Sequence, residues 1–191
     1  IDKMLEFTKS LNNKYNLDLS VIDLGGGMGI DYESNPSDFK LDELLKQMIE
    51  KIELKVKELN LNIKRILIEP GRSIVGTAGV TLYTCGYLKK TYGGKHYLFI
   101  DGGMTDNPRF ALYKSSYTVI ADSKEEEKCD FKCSLVGRCC ESGDILQENV
   151  MLPSDIKRGD LIAVLTTGAY NYSMSSNYNR IQKLPVVMLN G

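Results

Sequence analysis

Two short apolar runs, residues 20–24 (SVIDL) and 65–68 (RILI), bracket one long amphipathic stretch, and this spacing constrains the fold more than any other feature of the chain. Each run ends in turn-forming residues: Gly25-Gly26-Gly27 after the first, Glu69-Pro70-Gly71-Arg72 after the second. Between them Leu41, Leu44, Leu45, Met48, Ile49, Ile52, Val56 and Leu59 recur at spacings of three and four, which draws one wide apolar stripe along a helix. Asn35 suits the cap of that helix, Pro36 its first position and Asn60 its exit. Residues 1–15 carry a helical spacing as well. Buried strand, helix, buried strand is the pattern of a parallel α/β sheet or barrel.

The texture changes near residue 79. Residues 79–92 (GVTLYTCGYLKKTY) alternate in part at period two and are rich in β-formers. Gly93-Gly94 then separates them from KHYLFID, a hairpin signal. Short strand-like runs follow at 116–121, 130–136 and 161–165, a spacing that suggests a β barrel or sandwich. The run 124–128 (KEEEK) reads as a solvated loop, and the RGD at 158–160 as a turn into a strand.

Composition narrows the function classes. Lys plus Arg number 24 and Asp plus Glu 25, a net charge of −1, which disfavours a grip on nucleic-acid phosphates. No run of 18 apolar residues is present, so no membrane span is expected. The five cysteines are odd in number and scattered, unlike a disulfide scaffold, and favour a cytoplasmic protein. The chain starts without Met, as if a helix were entered midway, and reads as part of a longer chain.

Several segments carry chemistry. Successive glycines after a strand let backbone N–H groups point into one concavity, and such a nest holds a phosphate. GGGMG departs from the dinucleotide fingerprint, and a tight strand–helix turn would need similar residues. Glu69 and Arg72 place both signs of charge at a strand end, where parallel α/β folds bind ligands, although a structural salt bridge would use the same pair. In residues 101–113 (DGGMTDNPRFALY), Arg109 could clamp a carboxylate in bidentate fashion, with Tyr113 adding a hydroxyl. Cys140-Glu141-Ser142-Gly143-Asp144 packs a thiol and carboxylates into one turn, and an unperturbed thiol, of pKa about 8.5, is mostly a proton donor at neutral pH. Residues 168–179 (GAYNYSMSSNYN) form a polar loop crowded with Tyr, an adaptable binding surface.

The order of these motifs is more telling than any one of them. Strand-GGG, EPGR, DGGM with Arg-x-x-x-Tyr, CESGD and GAYNYSM strongly resemble the diaminopimelate decarboxylases, pyridoxal-phosphate enzymes of the alanine racemase-like type related to ornithine decarboxylase. The resemblance runs from about residue 21 to residue 179. It implies an α/β plus β chain: the last βα units of a TIM-like barrel over residues 1–78, then a C-terminal β-barrel domain over 79–191. It also implies pyridoxal 5'-phosphate as cofactor, decarboxylation of meso-diaminopimelate to L-lysine, and a homodimer with shared active sites. By the same resemblance Gly26 and Gly27 hold the cofactor phosphate with Gly71 and Arg72. Glu69 faces the pyridine nitrogen. Arg72, Arg109 and Tyr113 hold the distal carboxylate of the amino-acid substrate. Cys140 gives the proton that replaces carbon dioxide, Glu141 meets the substrate ammonium, and Tyr170 lines cofactor and substrate. No metal is implied.

Physical chemistry supports the Glu69 role, because a carboxylate ~4 Å from a pyridinium is worth roughly 4 kcal/mol at an effective dielectric near 20. Two departures stand out: Pro108 precedes Arg109 where the family carries Pro after it, and Cys139 precedes Cys140. The Schiff-base Lys and ring-stacking His of the family belong to earlier barrel segments, and His96 does not match the latter. The 191-residue chain alone is therefore expected to be inactive. A related decarboxylase of another amino acid and a non-catalytic regulatory homologue are the alternatives. A clamp for a second carboxylate argues against the first, and retention of Glu69, Cys140 and Glu141 argues against the second.

Overall fold

A computed structural model describes residues 1–30, 32, 40–122 and 128–190. The chain divides into two compact units, one drawn from Ile1–Asp31 and Asn35–Ile74, the other from Tyr32–Ser34 and Val75–Gly191.

In the first unit, helix α1 (Asp2–Tyr15) ends where Asn16 turns left-handed and its N–H bonds back to the Asn12 carbonyl. Strand β1 (Val21–Asp23), helix α2 (Leu41–Glu58) and strand β2 (Arg65–Leu67) follow, and β1 pairs with β2 in parallel, as the spacing of the apolar runs predicts. Helix α2 closes at Leu59, and Asn60 takes the left-handed exit conformation expected of it. Asn35 and Pro36 lie outside the described residues. Leu5 of α1, Ile22 of β1 and Ile52 of α2 form the core of this unit. The expectation of buried strands fails: β1 buries only Ile22, β2 is not buried, and Ile66, Leu67 and Ile68 are each more than a third exposed. A parallel strand is buried only when both of its faces are covered, and here a two-stranded sheet leaves them partly open.

The second unit is a six-stranded sheet in the order β5-β8-β3-β4-β6-β7. Strand β3 (Thr81–Lys90) turns at Gly94 into β4 (His96–Ile100), the predicted antiparallel hairpin. Strands β5 (Val119–Ala121), β6 (Phe131–Val136) and β8 (Leu161–Val164) fall within the expected runs. Strand β7 (Ile145–Leu152) was not expected. Its apolar residues are interrupted by Gln147, Glu148 and Asn149, the last at φ 58°. The edge strands β5 and β7 meet, so the sheet curls into a nearly closed barrel. The Gln147 side chain makes the join: its amide accepts from the Tyr117 N–H at 2.7 Å and donates to the Tyr117 carbonyl at 2.8 Å. Tyr83, Leu98, Leu135, Leu146, Leu152 and Ile162 fill the interior.

Three helical segments lie outside the sheet: α3 (Arg72–Val75), α4 (Arg109–Tyr113) and α5 (Asn171–Met174). Residues 158–160 form a turn tied to β3, with the Gly159 N–H on the Cys85 carbonyl at 2.9 Å and the Cys85 N–H on the Asp160 carbonyl at 2.8 Å. Of the KEEEK run, 124–127 lie outside the described residues.

Candidate active site

Five of the predicted residues lie at the C-terminal ends of β1 and β2. The turn after β1 opens with the Gly25 N–H on the Asp23 carboxylate at 2.8 Å, and Gly25, Gly27 and Gly29 all adopt positive φ. Gly26 lies against the carbonyl of Glu69, so close that a side chain there would strike main chain. The Glu69 N–H donates to the Gly25 carbonyl at 2.8 Å, which ties the two strand ends together. Gly71 follows, its carbonyl accepting from the Ile74 N–H at 3.1 Å, and Arg72 opens α3. Left-handed glycines alternating with Gly26 make a concave run of backbone, the form that suits a phosphate. Close main-chain approach at Gly26, open space beside Gly25 and Gly27, and an exposed carboxylate at Glu69 fit a phosphorylated cofactor with a basic ring nitrogen.

The second unit gathers Arg109, Tyr113 and Tyr170. Arg109 on α4 is buried, with its guanidinium carbon 5.1 Å from the Tyr113 ring centroid and 5.7 Å from that of Tyr170. Its Nη1 donates to the Met174 sulfur at 3.9 Å, a weak neutral acceptor. Among the described residues no carboxylate forms an ion pair with it, and its Nε has no hydrogen-bond partner. Burying a cation without an anion is costly, and an anion brought against this guanidinium would offset that cost. Tyr117 completes it: burial pushes its phenol up, while the Arg109 guanidinium and the Asn171 amide beside it pull the other way.

Tyr170 stands at φ 72°, in a segment fixed by close main-chain contact. The Gly168 N–H bonds to the Gly76 carbonyl at 3.0 Å, and the Thr167 N–H to the Gly79 carbonyl at 2.9 Å. A Cβ on Gly79 would strike the backbone of Gly168. Sequence reasoning singled out neither Tyr117, Asn171 nor Met174, although the last two sit inside the GAYNYSM run.

Cys140 and Glu141 lie on the turn between β6 and β7, both exposed. The Glu141 carboxylate accepts from the Gly143 N–H at 3.0 Å and the Ser142 hydroxyl at 3.3 Å. The Cys140 N–H donates to the Asn179 side-chain oxygen at 2.7 Å, and the Tyr178 hydroxyl reaches the Cys140 carbonyl at 3.5 Å. The neighbouring Cys139 thiol is pushed up by burial and by the Asp144 carboxylate. Asp144 is a buried hub: one oxygen accepts from the Met104 N–H at 2.6 Å, the other from the Cys139 N–H at 2.7 Å. Residues 174–179 touch both groups, through Met174 at Arg109 and Asn179 at Cys140.

A profile described as "Pyridoxal-dependent decarboxylase, C-terminal sheet domain" matches residues 15–168. The chain belongs to the pyridoxal-dependent decarboxylase family. Within that family it is 44% identical to the diaminopimelate decarboxylase of Staphylococcus aureus over 91% of this chain and 41% of the relative. It is 42% identical to that of Bacillus subtilis over 98% of this chain and 43% of the relative. Among solved structures it is similar to diaminopimelate decarboxylase from M. jannaschii in co-complex with L-lysine, with a TM-score of 0.79 and 31% identity. That match covers 93% of this chain and 39% of the other. The chain thus spans about two fifths of the length of these decarboxylases. The six-stranded unit is the C-terminal sheet domain of the family. Among its described residues no helix is long and apolar enough to cross a membrane.

Proposed function

We propose that this chain is part of a cytoplasmic diaminopimelate decarboxylase that converts meso-diaminopimelate to L-lysine. In this reading residues 1–78 contribute the last βα units of a TIM-like barrel and 79–191 the β-barrel domain. The observation that carries the substrate assignment is Arg109: a buried guanidinium, stacked by tyrosines and lacking an acidic partner among the described residues. An amino acid with one carboxylate would leave that cation unanswered once the carboxylate departs. A diamino diacid brings a second.

Pyridoxal phosphate, when bound, supplies the sink for the electron pair left behind as carbon dioxide leaves. Gly26, Gly27, Gly71 and Arg72 hold its phosphate. Glu69 keeps a proton on the ring nitrogen through charge attraction. Arg109 and Tyr113, with Arg72, fix the distal carboxylate, and Glu141 meets the substrate ammonium. Tyr170 lines both cofactor and substrate. The Cys140 thiol hands its proton to the carbon that has lost carbon dioxide. A closed two-fold dimer, with Cys140 and Glu141 completing the partner's site, accounts for a thiol carried on an exposed turn.

The test is Arg109→Ala in the full-length enzyme. Losing a buried charged contact of this kind typically costs about 2–5 kcal/mol. KM for meso-diaminopimelate should rise by about 30-fold or more, while cofactor affinity stays. An unchanged KM would move the clamp elsewhere. Absence of carbon dioxide release by the unmodified full-length protein would remove the activity itself.

A further inference from the structure

Cys140 is exposed, and exposed turns hold side chains loosely. Proton delivery needs the opposite, because a donor works only within hydrogen-bond reach of the accepting atom. The structure shows how the two are reconciled. The two successive peptides that lead into the thiol are each gripped by a side chain from elsewhere in the chain. At the first of them, Asp144 takes the Cys139 N–H, and its other oxygen takes the Met104 N–H. Gly103 and Gly137 crowd this carboxylate so closely that a Cβ at either would strike it. At the second, Asn179 takes the Cys140 N–H at 2.7 Å.

Asn179 itself is set in an unusual way. It stands at φ 53° and ψ 20°, followed by Arg180 at φ 58°, two successive left-handed residues with neither a glycine. Left-handed backbone costs free energy outside glycine, and Asn tolerates it better than most residues. A segment that adopts it twice in a row does so because something else fixes it. The Arg180 N–H on the Asn177 carbonyl at 2.8 Å and the Asn177 side chain on the Ile181 carbonyl at 2.9 Å close the turn. The result aims the Asn179 amide oxygen at the Cys140 N–H.

We infer that Asn179 is a positioning residue for the Cys140 thiol, acting with Asp144 as a two-point anchor on the Cys139–Cys140 backbone. This rests on the reading of Cys140 as proton donor. Asp144 fixes the turn to the loop that leads to Arg109, and Asn179 sets the final rotation of the peptide that carries the thiol. The reach of the donor is thereby coupled to the 168–180 segment, which also bears Tyr170.

The experiment uses the cofactor-loaded full-length enzyme with Asn179→Gly, Asn179→Asp, Cys140→Ala and the double variant Asn179→Gly with Cys140→Ala. Glycine accepts the left-handed backbone and removes only the amide acceptor, so the fold is preserved. Asn179→Gly should lower kcat about tenfold with KM unchanged, the scale of one lost positioning hydrogen bond. Asn179→Asp, which keeps a side-chain oxygen, should restore most of that rate. In the Cys140→Ala background the Asn179→Gly loss should vanish, because the group it positions is gone. Hydrogen exchange provides a readout apart from activity: the Cys140 amide should exchange about tenfold faster in Asn179→Gly. Equal losses in both backgrounds, or an unchanged kcat in Asn179→Gly alongside an impaired Cys140→Ala, would overturn the positioning role and leave Cys140 as the donor. Full activity of Cys140→Ala would overturn the donor reading and this inference with it.

Discussion

Gly26 and Gly27 are adjacent, yet they are glycine for different reasons, and substituting each in turn separates them. A methyl group at 26 lands on the Glu69 carbonyl oxygen, main chain against main chain, with no flexible end to give way. To reach an ordinary C···O separation of about 3.3 Å the loop must retreat by roughly an ångström. That stretches the Glu69–Gly25 hydrogen bond, worth about 1 kcal/mol, on top of an overpacking cost of about 1–3 kcal/mol. A methyl group at 27 would meet no heavy atom within 4 Å, and only the φ of 80° there resists alanine. Left-handed backbone alone costs about 1–2 kcal/mol. Gly26→Ala should therefore be the harsher change, and it should also displace Glu69. The assay is absorbance titration of the full-length apoprotein with pyridoxal phosphate, beside a thermal melt. We expect affinity to fall about 30-fold or more for Gly26→Ala and about tenfold for Gly27→Ala, since each 1.4 kcal/mol is tenfold. A Gly26→Ala variant that binds as tightly as the parent, or more tightly than Gly27→Ala, would refute the close-approach argument.

Asp106 is buried, with one oxygen on the Gly103 N–H at 3.0 Å and the other without a hydrogen-bond partner. Burial pushes its carboxyl above the usual range, against the pull of the Gly103 N–H and Arg138, and with a push from Asp144 and Asp101. A raised folded-state pKa gives stability that is fully present below the unfolded value and is lost as pH rises through the folded one. Asp106→Asn should thus match the parent in thermal melts near pH ~4 and gain on it toward pH 7; a gain that shrinks with rising pH would contradict the sign. The shared dimer site predicts that two inactive full-length forms, Cys140→Ala and one lacking the Schiff-base Lys, recover activity when subunits exchange. About a quarter of all sites should be intact at equal mixing, and a flat baseline with exchange demonstrated would assign Cys140 to its own subunit.

The elements that sequence reasoning found are those with strong local signals. The stripe from Leu41 to Leu59 spans five helical turns, and Gly93-Gly94 marks the β3–β4 hairpin. Strand β7 escaped because Asn149 breaks the alternation with a left-handed kink, at a point where the ladder with β6 also shifts register. Helix α4, five residues long, is shorter than any window in which periodicity can be read. The exposure of β2 was invisible for another reason: RILI is apolar whether or not a neighbour covers it. Arg109, Cys140 and Glu69 stand out in the sequence by residue type and motif. Asp144 was quoted only as the end of CESGD, since the Met104 amide that it holds lies 40 residues away in sequence. Asn179 was similarly hidden, because its role depends on a backbone conformation that no residue spacing encodes.

The Gln147 clamp gives the barrel an asymmetric mechanics. Neighbouring strands in the sheet are stitched by main-chain ladders, while among the described residues the Gln147 side chain of β7 grips both polar groups of Tyr117, two residues before β5. The residue held in the clamp is also the one whose hydroxyl sits 3.4 Å from Asn171, beside the Arg109 cage. A change at Gln147 should therefore be felt at Tyr117, and through its hydroxyl at Asn171 beside Arg109.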